Sequence, residues 1–320
     1  MSPDPDRALV THFIPQLSRD QLLIVADLLA CRPTAQGQPP ITIVHVGAHP
    51  LDGASPPYSA LAEAGLARVV GFEPQREALT QLQATAGPHH YYLPHAVGDG
   101  LTHQLRTCHA AGFSSLFEPD PHQLALLTDF PRLAAVTDRN TVATQRLDDL
   151  THAYPDLLDR IDLLLLDVQG SEAMILQHAR QTLHTLLAVQ VEVAFTRLYQ
   201  QAPTFADVDS HLRAAGLFPH AFVSVRTWPM APTPWADPLQ HSTRHLIEAD
   251  LLYTIDLTTL AHRTHDDLTR LALLSIGVYH SLGPALACMS QLRERHHLTD
   301  HAMTQLRELL TGTATPASQS

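Results

Sequence analysis

Lysine is absent from the 320 residues, and all 20 fixed side-chain cations are arginines. That excludes Schiff-base and lysine-base chemistry. The cations are outnumbered by 32 acids, which leaves a formal charge of -12 with histidine neutral. A surplus of this sign excludes general nucleic-acid binding, which needs phosphate-neutralising charge. Cysteine is scarce: Cys31, Cys108 and Cys288 are odd in number and widely spaced. They form neither a disulfide framework nor a zinc pattern, and they suit a reduced, cytoplasmic location. There is no run of about 20 apolar residues to span a membrane. The acidic start, Met1 to Asp6, lacks the apolar core of a signal peptide. There is no G-x-G-x-x-G turn of the kind that seats a dinucleotide pyrophosphate. Histidine is abundant, with 22 copies, but scattered. His89-His90 and His296-His297 do not project to a common side of a regular element, and no H-E-x-x-H occurs. No metal site is expected.

The stretch Ile161-Asp-Leu-Leu-Leu-Leu-Asp-Val-Gln-Gly-Ser-Glu172 is the most informative segment present. Leu163 to Leu166 form an apolar run too short for a helix and suited to a strand covered on both faces. Asp167 closes that strand, Gly170 permits a tight turn, and Ser171 can cap the helix that Glu172 begins. Ligands of parallel α/β sheets bind outside the carboxyl ends of the strands. Asp167, Gln169 and Glu172 therefore stand where chemistry is expected; a capped turn is the plainer alternative. Upstream, Ile41-Thr-Ile-Val-His-Val-Gly-Ala-His49 is a second strand ending in a glycine turn, and Val69-Val-Gly-Phe-Glu-Pro74 a third ending in an acid. The spacing from Gly47 to Glu73 is close to that between a nucleotide fold's glycine turn and its ribose-binding carboxylate. The thin glycine pattern favours a nucleoside without phosphate, S-adenosylmethionine, over NAD.

Strands are predicted at 41–46, 69–73, 91–96, 161–167, 187–195, 217–225 and 249–256. Helices fall near 56–65, 75–85, 171–181 and 205–215; the last starts at the capping box Thr204-x-x-Asp207 and stops at Gly216. The alternation argues for a doubly wound α/β sheet. The segment from about 100 to 148 interrupts it with extended pieces at 102–107 and 141–146. With its polar loop, Gly112-Phe-Ser-Ser-Leu116, this segment is a candidate part of a substrate lid or a surface excursion. Trp228 and Trp235, among Pro229, Pro232, Pro234 and Pro238, form a rigid loop, read as a packed connector, with stacking on a sugar ring as the alternative. Residues 7–30 read as helix broken near Pro15, and the chain beyond 256 is helical. Their apolar stripes (Leu22, Val25, Ala26, Leu29; Leu268, Leu271, Ala272) pack on the domain or on a second copy of the chain. The expected organisation is a helical extension and linker over 1–40, a catalytic domain over 41–256, a helical extension over 257–310 and a disordered tail over 311–320.

The motif order His45-Val-Gly-Ala-His49, Val70-Gly-Phe-Glu-Pro74, His95-Ala-Val-Gly-Asp99, Ser114-Ser-Leu116, Arg146-Leu-Asp-Asp149, Leu166-Asp-Val-Gln-Gly-Ser-Glu172 and Val191-Glu-Val-Ala-Phe195 resembles the FkbM family of S-adenosylmethionine-dependent methyltransferases. The resemblance spans roughly residues 41 to 256. It implies a class I methyltransferase fold: a Rossmann-like, seven-stranded, mostly parallel sheet with helices on both faces. It also implies O-methylation of a hydroxyl on a sugar or small secondary metabolite. By it, Val46, Gly47, Ala48 and His49 line the methionine end of the cofactor. Glu73 with Pro74 holds the ribose, Ala96, Val97 and Asp99 lie near the adenine, and Asp167 and Glu172 face the reacting centre. The family pattern carries Asp and Asn where this chain has His45 and His49, and Lys where it has Leu165.

Methyl transfer to a hydroxyl requires positioning and removal of a proton. Asp167, Glu172, Glu192 and His95 are candidate bases. Ser114, Ser115 and Gln169 are candidate contacts for a small-molecule or glycan acceptor. A divalent ion held by Asp167 and Glu192 is an alternative to a protein base alone. The other functional readings are a nicotinamide-dependent oxidoreductase and a degenerate methyltransferase fold serving as a binding subunit.

Overall fold

The computed structural model describes residues 16–35, 37–48, 55–231 and 245–311. The chain forms two compact units. One comprises 42–55 and 68–256; the other comprises 1–41, 56–67 and 257–320.

The first unit is built on a sheet that alternation of apolar runs foreshadows. Its strands are β1 (Ile41–Val46), β2 (Ala67–Phe72), β3 (His90–Leu93), β7 (Leu163–Leu166), β8 (Ala188–Ala194), β9 (Leu217–Trp228) and β10 (His245–Ile255), in the order β3-β2-β1-β7-β8-β10-β9. β2 and β3, β1 and β7, and β7 and β8 pair in parallel; β10 runs antiparallel to both β8 and β9. This seven-stranded, mostly parallel α/β sheet is a class I methyltransferase fold. Leu163 to Leu166 are all 4% exposed or less, as a central strand covered on both faces requires.

A second, three-stranded sheet accounts for the interruption after residue 100. It joins β4 (Ala96–Val97), β5 (Thr102–Cys108) and β6 (Val136–Gln145) in the order β4-β6-β5. The connection between β5 and β6 carries two short helices, Pro121–Leu124 and Phe130–Leu133. It is anchored by its own apolar cluster of Leu124, Leu127, Phe130, Leu198, Tyr199 and Ile247, with Trp228 packed against it. The Trp228 ring lies 4.9 Å from that of Phe130, and its Nε1 donates to Thr128 O at 2.8 Å. Trp228 is thus a packed element of β9; Trp235 and Pro232, Pro234 and Pro238 lie outside the described residues.

Some boundaries differ from expectation for local reasons. The predicted strand 91–96 is two strands, because Pro94 lacks the N–H that would continue the ladder. The predicted helix 171–181 is two short helices, Glu172–Gln177 and Arg180–Leu183. Helix 205–215 is Phe205–Ala214, with the capping box at Thr204 and Asp207 as read.

The second unit is helical: Arg19–Leu28, Ser59–Glu63, His265–Gly277, Leu282–Glu294 and Asp300–Thr311. Leu22, Val25, Ala26 and Leu29 are buried, as are Leu268, Leu271 and Ala272. Gly277 permits the tight contact here: a Cβ on it would lie 2.6 Å from Leu61 Cδ2. Among the described residues, no helix is long and apolar enough to cross a membrane.

Candidate active site

At the carboxyl ends of β1, β2, β3 and β7 lies a cleft of about 370 Å3. The sequence-predicted residues Val46, Gly47, Glu73, Pro74, His95, Ala96, Val97, Ser114, Ser115, Asp167 and Gln169 line it. Strands β5 and β6 add Leu105, Thr107, Val142 and Thr144 to its wall; the sequence marked their extended pieces but not these four residues. Gly47 has φ +81, and a Cβ there would lie 2.0 Å from Asp167 O. No other residue type could let the first turn close on the end of β7. The glycine therefore serves the approach of two protein segments. Glu73 is buried, and its Oε1 accepts the Gln75 N–H at 2.8 Å.

Several candidates stand elsewhere. Ala48 is buried and absent from the cleft wall, and His49 lies outside the described residues. Asp99 points away into a turn: it accepts from Leu101 N and pairs with His103 Nε2, both at 2.8 Å. Burial pulls its pKa up, but the His103, Leu101 and Thr144 hydrogen bonds outweigh that and hold it below the usual range. His95 lines the cleft beyond β3 and shares a 2.7 Å hydrogen bond with the Tyr154 hydroxyl. With strands about 4.8 Å apart, β3 lies roughly 14 Å from β7. The His95 ring lies 6.4 Å from that of Phe72, at the end of β2.

Both loop serines are committed to backbone. Ser114 Oγ accepts from Cys108 N at 3.1 Å. Ser115 Oγ donates to Gln169 O at 2.6 Å and accepts from Phe117 N at 3.1 Å. Arg106 braces this loop through Glu118 (2.7 Å) and Leu116 O (2.5 Å). The loop thus holds Gln169, a non-glycine residue at φ +55.

The acids beyond β7 divide their tasks. Glu172 accepts from Val168 N at 2.9 Å and Gly170 N at 3.0 Å. Its carboxylate closes the turn, the role the sequence left open for Asp167. Burial pushes its pKa up to about 7, against the pull of those N–H donors. Ser171 makes no capping bond. Gln169 Nε2 donates to Asp167 Oδ1 and to Glu192 Oε2, both at 2.8 Å. A protein amide therefore occupies the position between the two carboxylates that an ion would need. Among the described residues no group of three acids, histidines or cysteines could hold a metal ion. Burial raises the pKa of Asp167, with Asp250 adding to it and the Gln169 bond opposing. Burial and the Asp167 charge raise Glu192 further.

Arg226, which sequence reasoning missed, anchors this network. From β9 it reaches Glu192 at 2.8 Å, Glu248 at 2.5 Å and Asp250 at 3.5 Å. It stands 34 positions from Glu192, so nothing local signals the pairing.

His45 and Leu165, two of the departures from the family pattern, are register partners on β1 and β7. A site of the Asp-and-Lys type has become a neutral pair. Burial lowers the His45 pKa to about 4, so neither residue carries charge at neutral pH. Replacing both members avoids stranding one buried charge.

Fold and cleft together define a class I methyltransferase. The chain matches the methyltransferase FkbM domain over residues 45–217, more than half its length, and belongs to that family. The cofactor of the family is S-adenosylmethionine. Similar solved structures include magnesium protoporphyrin IX methyltransferase (ChlM) from Synechocystis PCC 6803 with bound SAM. It is 14% identical, covers 74% of this chain and 80% of its own, and has a TM-score of 0.35. Another is a putative S-adenosylmethionine dependent methyltransferase from Listeria monocytogenes: 11% identity, coverage of 74% and 98%, TM-score 0.34. No curated protein matches the sequence.

Proposed function

We propose that the protein transfers a methyl group from S-adenosylmethionine to a hydroxyl of a sugar or small hydroxylated metabolite. The observation that carries this reading is the partly buried Asp167 carboxylate at the end of β7, in the wall of a cleft that also presents the buried Glu73 at the end of β2. Glu73 suits a ribose diol, which a carboxylate can accept from twice. Phe72, Ala96 and Val97 give an apolar face for adenine, and Val46 and Gly47 border the methionine end. The cleft volume lies within the 300–1,000 Å3 typical of small-molecule sites. The bound cofactor supplies an electrophilic methyl group on sulfur.

The remaining tasks fall to this chain's own residues. Asp167 lines the cleft, and its raised pKa suits acceptance of a proton from an acceptor hydroxyl. Gln169 turns its Nε2 toward Asp167 and Glu192, which leaves Oε1 as an acceptor for that hydroxyl. Glu192 holds Gln169, and Glu172 holds the turn. His95 is assigned to the adenine end instead of the proton transfer. Family membership takes the place of the nicotinamide alternative. The neutral His45–Leu165 pair has a packing explanation and gives no separate support to a degenerate scaffold.

Calorimetry with S-adenosylhomocysteine tests the cofactor assignment. Glu73→Ala should lose about 1–3 kcal/mol of binding through its hydrogen bonds to the ribose. Unchanged affinity in a folded variant removes Glu73 from the site. Transfer of labelled methyl from S-adenosylmethionine to a panel of sugars and hydroxylated metabolites tests the acceptor class. Label appearing on amine acceptors alone would overturn O-methylation.

A further inference from the structure

Ser171 is 2% exposed and lies in the wall of the cleft. Its Oγ has no hydrogen-bond partner among the described residues. The expected role as a helix cap is not filled: Ser171 stands before the helix at φ -94 and ψ 4 and its side chain makes no capping hydrogen bond. Of the three serines in the cleft wall, Ser114 and Ser115 give their hydroxyls to the backbone. Ser171 alone of the three keeps a hydroxyl that the fold does not use. A buried hydroxyl without a partner opposes folding, and alanine would fill the same place without that cost. The hydroxyl therefore points to a ligand.

Position along the cleft selects the ligand atom. The strand ends follow the order β3, β2, β1, β7. Ala96 and Val97 stand beyond β3, Glu73 at β2 and Gly47 at β1. Ser171 follows β7, past Asp167 and Gln169, at the far end from the adenine side. We infer that Ser171 contacts the acceptor: its Oγ hydrogen-bonds the atom that receives the methyl group, beside Asp167. This rests on the S-adenosylmethionine reading above.

Two ligands that differ at the transfer position make the test independent of the unidentified acceptor. S-adenosylhomocysteine has a bare thioether there; sinefungin carries an amine where the cofactor carries its methyl group. Calorimetry with both ligands, and thermal melting, would be run on wild type, Ser171→Ala and Ser171→Thr. Ser171→Ala should weaken sinefungin binding about three- to tenfold while S-adenosylhomocysteine stays within about twofold. Ser171→Thr, which keeps the hydroxyl, should restore sinefungin affinity. The melting temperature of Ser171→Ala should not fall, since no internal bond is lost. Equal weakening of both ligands would move Ser171 to the methionine tail and overturn the inference. So would no change in either ligand, or a drop in melting temperature of the kind a lost cap produces. Wild-type protein that binds neither ligand would overturn the cofactor reading itself, and this inference with it.

Discussion

Two neighbouring sets of side chains toward the carboxyl end of the parallel strands are handled in opposite ways. Within the sheet, His45 faces Leu165 and both are neutral. At the sheet's carboxyl edge, Asp167, Glu192, Glu248 and Asp250 converge on Gln169 and Arg226. The difference is access to compensation. His45 and Leu165 are the last residues but one of β1 and β7, where backbone groups are consumed by the ladder, so a charge there needs a side-chain partner opposite. Around Asp167, past the end of β7, the loop and β9 supply an amide and a half-exposed guanidinium. Charge is kept where it can be satisfied, and that is also where ligands enter.

The strongest way to break this contrast is to return charge to the sheet interior. His45→Asp would bury a carboxylate against Leu165 and should cost about 3–5 kcal/mol in urea unfolding. His45→Asp with Leu165→Lys should recover much of that loss. A double variant no better than the single one would show that the two positions are not coupled.

The pH dependence of stability separates the two sets next. Glu172 titrates near 4.5 when unfolded and near 7 when folded. The folded state therefore holds a proton that the unfolded state has lost. That stability is whole below about pH 4.5 and gone above about pH 7, a change on the order of 3 kcal/mol. His45 runs the other way: it titrates near 6.5 unfolded and near 4 folded. Its contribution is whole above about pH 6.5 and lost as pH falls toward 4. The two slopes oppose each other through mildly acidic pH. Relative to wild type, Glu172→Gln should therefore make stability in urea rise more with pH from 4.5 to 6.5, and His45→Gln should make it rise less. Slope changes of the same sign in both variants would contradict the assignment.

The smallest effect is expected at Arg226. Its side chain is 48% exposed, so water screens part of the loss when it is removed. Arg226→Met should cost about 1–2 kcal/mol, less than an enclosed ion pair, because Glu192 can take up a proton. A cost near that of His45→Asp would mean that the sheet edge tolerates unpaired charge no better than its centre.

Much of the fold was legible along the chain. The apolar run Leu163 to Leu166, the glycine turn at Gly47, the acid at Glu73 and the capping box at Thr204 are local signals, each decided by a few neighbouring residues. The cleft-lining role of Asp167 and Gln169 followed from their place after a buried strand. Misplaced candidates share one cause: a nearby group competed for each side chain, and only the folded turn shows which partner wins. Asp99 had a histidine four residues away to bind instead. Glu172 turned back on its own turn, and the Ser114 and Ser115 hydroxyls met backbone groups.

What the sequence determined by itself is therefore the order of strands and turns, the family, and the set of residues delivered to the carboxyl edge, because each depends on periodicity and short-range chemistry. What only the tertiary structure decided is how those residues are spent. The pairing of His45 with Leu165 needs strand register. The anchoring of Glu192 by Arg226 needs the late antiparallel strands. The unused hydroxyl of Ser171 shows only once the fold has buried it without a capping bond. Each of these is a competition between partners distant in sequence or buried together, and it is settled by geometry that no local pattern contains.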